Sequence, residues 1–177
     1  NDCELVLGRG PDNNAFIIIG NDRVSKPHTG YGGKGHTQCD SIDLVVGMGG
    51  HTPREVDKEE QEVKTNPNFF IDSARIYISQ KTDVDKNFGI GEFGRAEEDE
   101  QDNKDDKGIG KYGAKSAIAV KADNIRIIGR ESIRLVTGTD SQNSQGGDVL
   151  SKSGIEIVAM NKTNELQPMV LGDNLQE

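Results

Sequence analysis

Tryptophan is absent from this chain, and aromatic residues make up only 5% of it. Prolines number five and cysteines two. Hydrophobic residues reach only 32% of 177, so the length suits one domain or two small ones while the apolar content argues against a single large core. The two thiols, Cys3 and Cys39, do not make a disulfide framework; they read as two reduced thiols or as one Cys3–Cys39 bridge. No apolar run approaches the ~18 residues that span a bilayer as a helix. No signal-peptide pattern opens the chain. It begins at Asn1 and stops abruptly at Gln176-Glu177, as a processed or partial polypeptide would. Basic residues are also short: 21 Lys and Arg face 30 Asp and Glu, a net charge of −9. Phosphate-rich partners need clustered cations, so neither nucleic acid nor an anionic membrane is an expected partner.

Glycine, by contrast, is plentiful, at 22 of 177 residues. Glycine without proline points to tight turns and close backbone approaches. Between the glycines lie short apolar bursts of period two. They are Leu5 and Leu7; Phe16-Ile17-Ile18-Ile19; Ile42 with Leu44, Val45 and Val46; Ile76 and Ile78; Ile118 and Val120; Ile125, Ile127 and Ile128; Ile133, Leu135 and Val136; and Ile155, Ile157 and Val158. β-Branched runs bounded by Gly, Asp, Asn and Ser predict strands. No stretch carries an i, i+3, i+4, i+7 apolar stripe, although 55–64 could form one or two polar helical turns. The fold class expected is all-β.

One pair of bursts repeats. Aligned at a period of eight, Ile125 meets Ile133, Arg126 meets Arg134, Ile127 meets Leu135 and Ile128 meets Val136. A looser form recurs at 116–120, 41–45 and 153–157. An eight-residue unit cannot bury its own apolar face, but stacked units can, along one chain or between chains. The alternative is two ordinary neighbouring strands. The octads predict a β-helix or β-prism segment in which Ile125, Ile127, Ile133 and Leu135 share a buried face and Arg126 and Arg134 point away.

The expected organisation is an N-terminal β module over 1–50, polar insertions with one or two strands over 51–113, and an octad-repeat segment over 114–177. The middle part holds the acidic run 97–107, with seven acids and two lysines. Such a block is expected to be a solvated loop, dispensable for folding.

Motifs with chemistry are weak. Gly30-Gly32-Gly35 and Gly89-Gly91-Gly94 match G-x-G-x-x-G, but neither follows a strand and opens a helix, as a dinucleotide fingerprint must. Gly33-Lys34 lacks the Ser or Thr and the first Gly of a P-loop. His28, His36, Cys39 and His51 are the candidate transition-metal ligands, with His36 and Cys39 spaced to reach one ion. No CxxC or HExxH pattern supports such a site, and loop residues of a Gly-rich turn are the plainer reading. Asp83, Asp85 and Asn87 imitate the opening of a calcium loop, but Phe88 and Gly94 stand where that loop requires Gly and Glu. No carboxylate pair, nucleophile elbow or comparable set signals catalysis, and no catalytic residue or cofactor is expected.

The stretch from Ile118 to Ile157 resembles the β-helical stems of phage tail spikes and cell-puncturing needles. The motifs that carry the likeness are Asn124-Ile125-Arg126-Ile127-Ile128-Gly129 and Ser132-Ile133-Arg134-Leu135-Val136-Thr137-Gly138. The segments 30–36, 40–45 and 167–175 are similar in texture to virion structural proteins of T4-like tailed bacteriophages. With only two clean octads and two long insertions, a compact baseplate or spike-base module fits better than a long needle. The resemblance implies a non-enzymatic virion protein of the tail or baseplate, a homotrimer in contact with neighbouring virion proteins. The alternatives are a carbohydrate-binding or carbohydrate-cleaving β-solenoid, a head-surface decoration protein, and a calcium-dependent adhesin module.

Overall fold

In the computed structural model, the residues described are 4–10, 13–22, 31–33, 39–51, 67–90, 114–149, 155 and 157–161. Five strands form one antiparallel sheet in sequence order: β1 (Glu4–Gly10), β2 (Asn13–Asp22), β3 (Cys39–Val46), β4 (Ala74–Thr82) and β5 (Lys115–Lys121). Each strand coincides with one of the first five apolar bursts, because alternating β-branched residues favour the pleated backbone. The sheet takes strands from all three expected segments of the chain.

The turn after β3 shows how local sequence sets the path. Gly47 takes φ 69°, and a Cβ there would lie 2.5 Å from Ser73 Oγ. Its N–H donates to Asn14 O at 2.8 Å, and its carbonyl accepts from Ser73 N at 3.1 Å. Asn14 and Met48 exchange two further hydrogen bonds, of 3.2 and 2.9 Å. The ends of β2, β3 and β4 are thereby tied together.

One short helix, α1 (Val84–Phe88), was not anticipated. Asp83 caps its N-terminus by accepting from Lys86 N at 3.3 Å, and Gly89 closes it in the left-handed region at φ 68°. The cap residues were present in the sequence, but five residues are too few to display a helical stripe. The possible turns at 55–64, the acidic run 97–107, His28, His36 and Cys3 lie outside the described residues.

The expectation of strands at 125–128 and 133–136, and at Ile155, Ile157 and Val158, is not met in the single chain. The predicted shared buried face is absent too: Ile127 is 72% exposed and Leu135 65%. Among the described residues no β-helix or β-prism repeat is formed. The physical reason lies in the repeat itself, since an octad without a stacked neighbour has no surface to bury against.

Candidate assembly surface

The register of the sheet divides its side chains into two faces. Phe16, Ile18 and Asp22 of β2, Cys39, Ser41, Asp43 and Val45 of β3, and Arg75, Tyr77 and Ser79 of β4 share one face. The turn at 67–72 and α1 lie over it. Its apolar core is thin, with Ile18, Val45 and Met48 packed against Phe16 and an aromatic group of Phe69, Tyr77 and Phe88 beside them. Seven buried residues of the described set are polar or charged, against six that are hydrophobic. This covered face is therefore held by hydrogen bonds as much as by apolar packing.

Two networks fill it. In the first, Arg75 Nε donates to Asp43 Oδ1 at 2.8 Å, Nη2 bonds Asp43 Oδ2, and Nη1 reaches Asp72 Oδ2 at 3.4 Å. The guanidinium lies 4.0 Å above the Phe69 ring. Asp72 also accepts from Gly49 N at 2.9 Å and Asn68 N at 2.7 Å. Burial pushes the Asp43 carboxyl above its ordinary value, and Arg75 offsets part of that rise.

The second network centres on Asp22. It accepts from Tyr77 OH, from Ser79 Oγ at 2.7 Å and from Gly32 N at 2.8 Å. Thr82 Oγ1 donates to Gly32 O at 2.9 Å and accepts from Asn87 Nδ2 at 2.8 Å. A Cβ on residue 32 would come within 2.6 Å of Tyr77 OH and 2.9 Å of Thr82 Oγ1, which explains the glycine. Burial, with the Asp22 charge second, holds the Tyr77 phenol above its ordinary value. Every buried side-chain polar atom of the described residues has a partner. The hollow beside Ile18, Ser41 and Tyr77 has room for about one water molecule. Both networks read as structural: their donors and acceptors are consumed by one another.

The predicted site residues scatter. Cys39 is buried on the covered face and His51 is exposed. Asp83 caps α1, Asp85 sits in its first turn, and Asn87 turns inward to give its amide protons to Thr82 and Gly32. Among the described residues, no three His, Cys, Asp or Glu side chains stand close enough to hold a metal ion. Gly32, central to the first G-x-G-x-x-G match, joins β2 to β4, and Gly89 of the second caps α1.

The other face of the sheet is inverted relative to an ordinary half-buried sheet. Leu5, Leu7, Ile17, Ile19, Ile42, Val46, Ile76, Ile118 and Val120 all point outward and are 40–71% exposed. Half-buried Leu44 and Ile78 complete this outer face. Antiparallel sheets with one wet face normally turn polar residues to water. Here aliphatic residues take that place.

Beyond β5 the chain leaves the sheet as an arm. Every residue from 123 to 142 is exposed. No strand pairing and no backbone hydrogen bond between described residues involves 122–140. The arm carries Ile125, Ile127, Ile128, Ile133, Leu135 and Val136, each 52–84% exposed. The turn that follows, 141–149, returns to the sheet, where Ser144 Oγ accepts from Ser116 N at 3.1 Å and Gln145 Nε2 donates to Gln80 O at 3.4 Å.

Sequence reading marked 125–136 as a repeat but expected it to be paired and buried, and it missed the outer face. Alternation announces two faces without saying which one the chain covers. In comparisons with known proteins, no family model, curated protein or solved structure matches this chain.

Proposed function

We propose that this chain is a non-enzymatic structural protein that works by assembling with copies of itself, within the tail or baseplate of a bacteriophage virion and in contact with neighbouring virion proteins. The observation that carries the reading is the arm. Its backbone makes no hydrogen bond between described residues, and its six large aliphatic side chains are 52–84% exposed. Open backbone edges of this kind pair with other chains. A shared core formed by several arms gives each copy the burial that its own thin core lacks. The likeness of 124–138 to spike stems supports the virion setting and favours three-fold symmetry.

The test is sedimentation or light scattering over a concentration series, for the wild type and for Ile133→Asp. The wild type is expected to be oligomeric, with a mass that is a whole multiple of the trimer's. The variant should dissociate, because a carboxylate in a shared core would be unpaired in every copy at once. A wild type that stays monomeric and folded at high concentration overturns the proposal. Immunogold labelling of intact phage particles with antibody against the chain tests the setting, and labelled tails or baseplates are the expected result.

A further inference from the structure

The outer face of the sheet is a surface separate from the arm, and no described residue covers it. We infer that it is buried against the same face of a second copy of this chain. The inference rests on the assembly reading above and deepens it by naming the contact.

Three observations carry it. The first is chemical. Between its two ends the face presents only Leu, Ile and Val, with no charge and no hydrogen-bonding side chain. Polar residues appear as a row at one end, where Asn21 Nδ2 donates to Asp40 Oδ1 at 3.1 Å and Gln80 Oε1 accepts from Asp40 N at 3.2 Å. An apolar centre with a polar margin is the anatomy of an interface. A surface with no polar feature in its centre offers only shape and aliphatic contact, which another copy of the same sheet, with the same twist, can match.

The second is area. Five strands ~4.8 Å apart, each contributing about six residues of ~3.3 Å, give a face of about 500 Å². That lies near the upper end of what monomers leave exposed, roughly 300–600 Å². Two such faces together bury about 1,000 Å², where specific interfaces begin.

The third is the division of labour between the faces. The chain's own covering elements, the 67–72 turn and α1, lie on the polar face. A two-fold contact needs one self-complementary patch on each copy, and the sheet supplies it without further structure.

The test places a reporter at the centre of the face. Ile42 lies on the middle strand, opposite Ile19 on one side and Ile78 on the other. The full chain carrying Ile42→Cys and Cys3→Ser is treated with N-ethylmaleimide under native conditions across a concentration series, with sedimentation run in parallel. Cys39 is buried on the opposite face. The labelling rate of residue 42 is expected to fall at least tenfold as the oligomer forms. Rapid labelling inside an intact oligomer would refute this contact and leave the assembly reading standing. Protection that persists at dilutions where the chain sediments as a folded monomer would also refute it, since the chain's own residues would then be the cover. A chain that is monomeric and labelled at every concentration overturns both readings. Adding Ile133→Asp to the same variant separates the surfaces: concentration-dependent protection that survives it assigns the contact to the face rather than the arm.

Discussion

Removing the Arg75 side chain is the sharpest test of what holds the sheet's covered face. Arg75 has no exposed side-chain surface, and its partners Asp43 and Asp72 are 8% and 0% exposed. In Arg75→Ala, Asp43 loses both of its guanidinium bonds, while Asp72 keeps its bonds from Gly49 N and Asn68 N. Stranding a buried charge in this way costs about 3–5 kcal/mol. Loss of the stacking over Phe69 adds ~1 kcal/mol. The sum is a large share of a typical ~5–15 kcal/mol domain stability. Arg75→Lys keeps the charge but not the planar fork, and should fall between the two. The double variant Arg75→Met with Asp43→Leu removes the pair together and should lie within ~2 kcal/mol of the wild type, far above Arg75→Ala. Urea unfolding at one fixed chain concentration is the assay, since self-association makes stability concentration-dependent. The sign with pH follows from Asp43. Its pKa in the folded chain is raised above the ordinary 3.8, and it rises further once Arg75 is gone. Ionising it therefore works against the folded state as pH climbs above 3.8, so the loss in Arg75→Ala should be greatest at neutral pH and shrink on acidification. A loss below ~1 kcal/mol at neutral pH would show that the pair is not buried as described and would refute the reasoning.

Two further outcomes follow from the Asp22 network. Gly32→Ala places a methyl against Tyr77 OH and Thr82 Oγ1, so it should cost about 1–3 kcal/mol by urea unfolding, and a neutral result would mean that this strand crossing is looser than the geometry says. Tyr77 keeps its proton in the folded chain above its ordinary value of 10.0, so its share of stability is intact below pH 10 and declines above it as the unfolded chain ionises. Urea midpoints measured on both sides of that pH should show this decline in the wild type and a smaller one in Tyr77→Phe; equal declines would assign the effect elsewhere.

The local elements of the sheet were legible because each rests on neighbours in sequence. The short β-branched bursts at 16–19, 42–46, 76–78 and 118–120 are enough to mark strands, since such residues favour the pleated backbone. The octads at 125–136 were legible as a repeat, yet strand formation there needs a stacked partner, and none is found among the described residues. The buried networks were not legible. Asp22, Asp43, Asp72 and Arg75 look like solvent-facing residues in a chain that is 29% charged. Asp22, Asp43 and Arg75 become interior only because β2, β3 and β4 align them under the 67–72 turn and α1, and Asp72 because that turn carries it down onto Arg75. Asp83, Asp85 and Asn87 suggested cation ligands by spacing, whereas a five-residue helix uses the first two locally and turns Asn87 inward.

By itself the sequence determined that this is a β protein, that its apolar residues come in short alternating sets, and that its core would be thin. These properties depend on residue type and spacing alone. Tertiary structure decided which side of the alternation is covered. Strand periodicity is symmetric between two faces, and only long-range contacts, such as the 2.7 Å bonds from Lys121 Nζ to the carbonyls of Phe69 and Phe70, place the covering turn over one of them. That choice put the charged residues inside and left the aliphatic face and the arm exposed among the described residues.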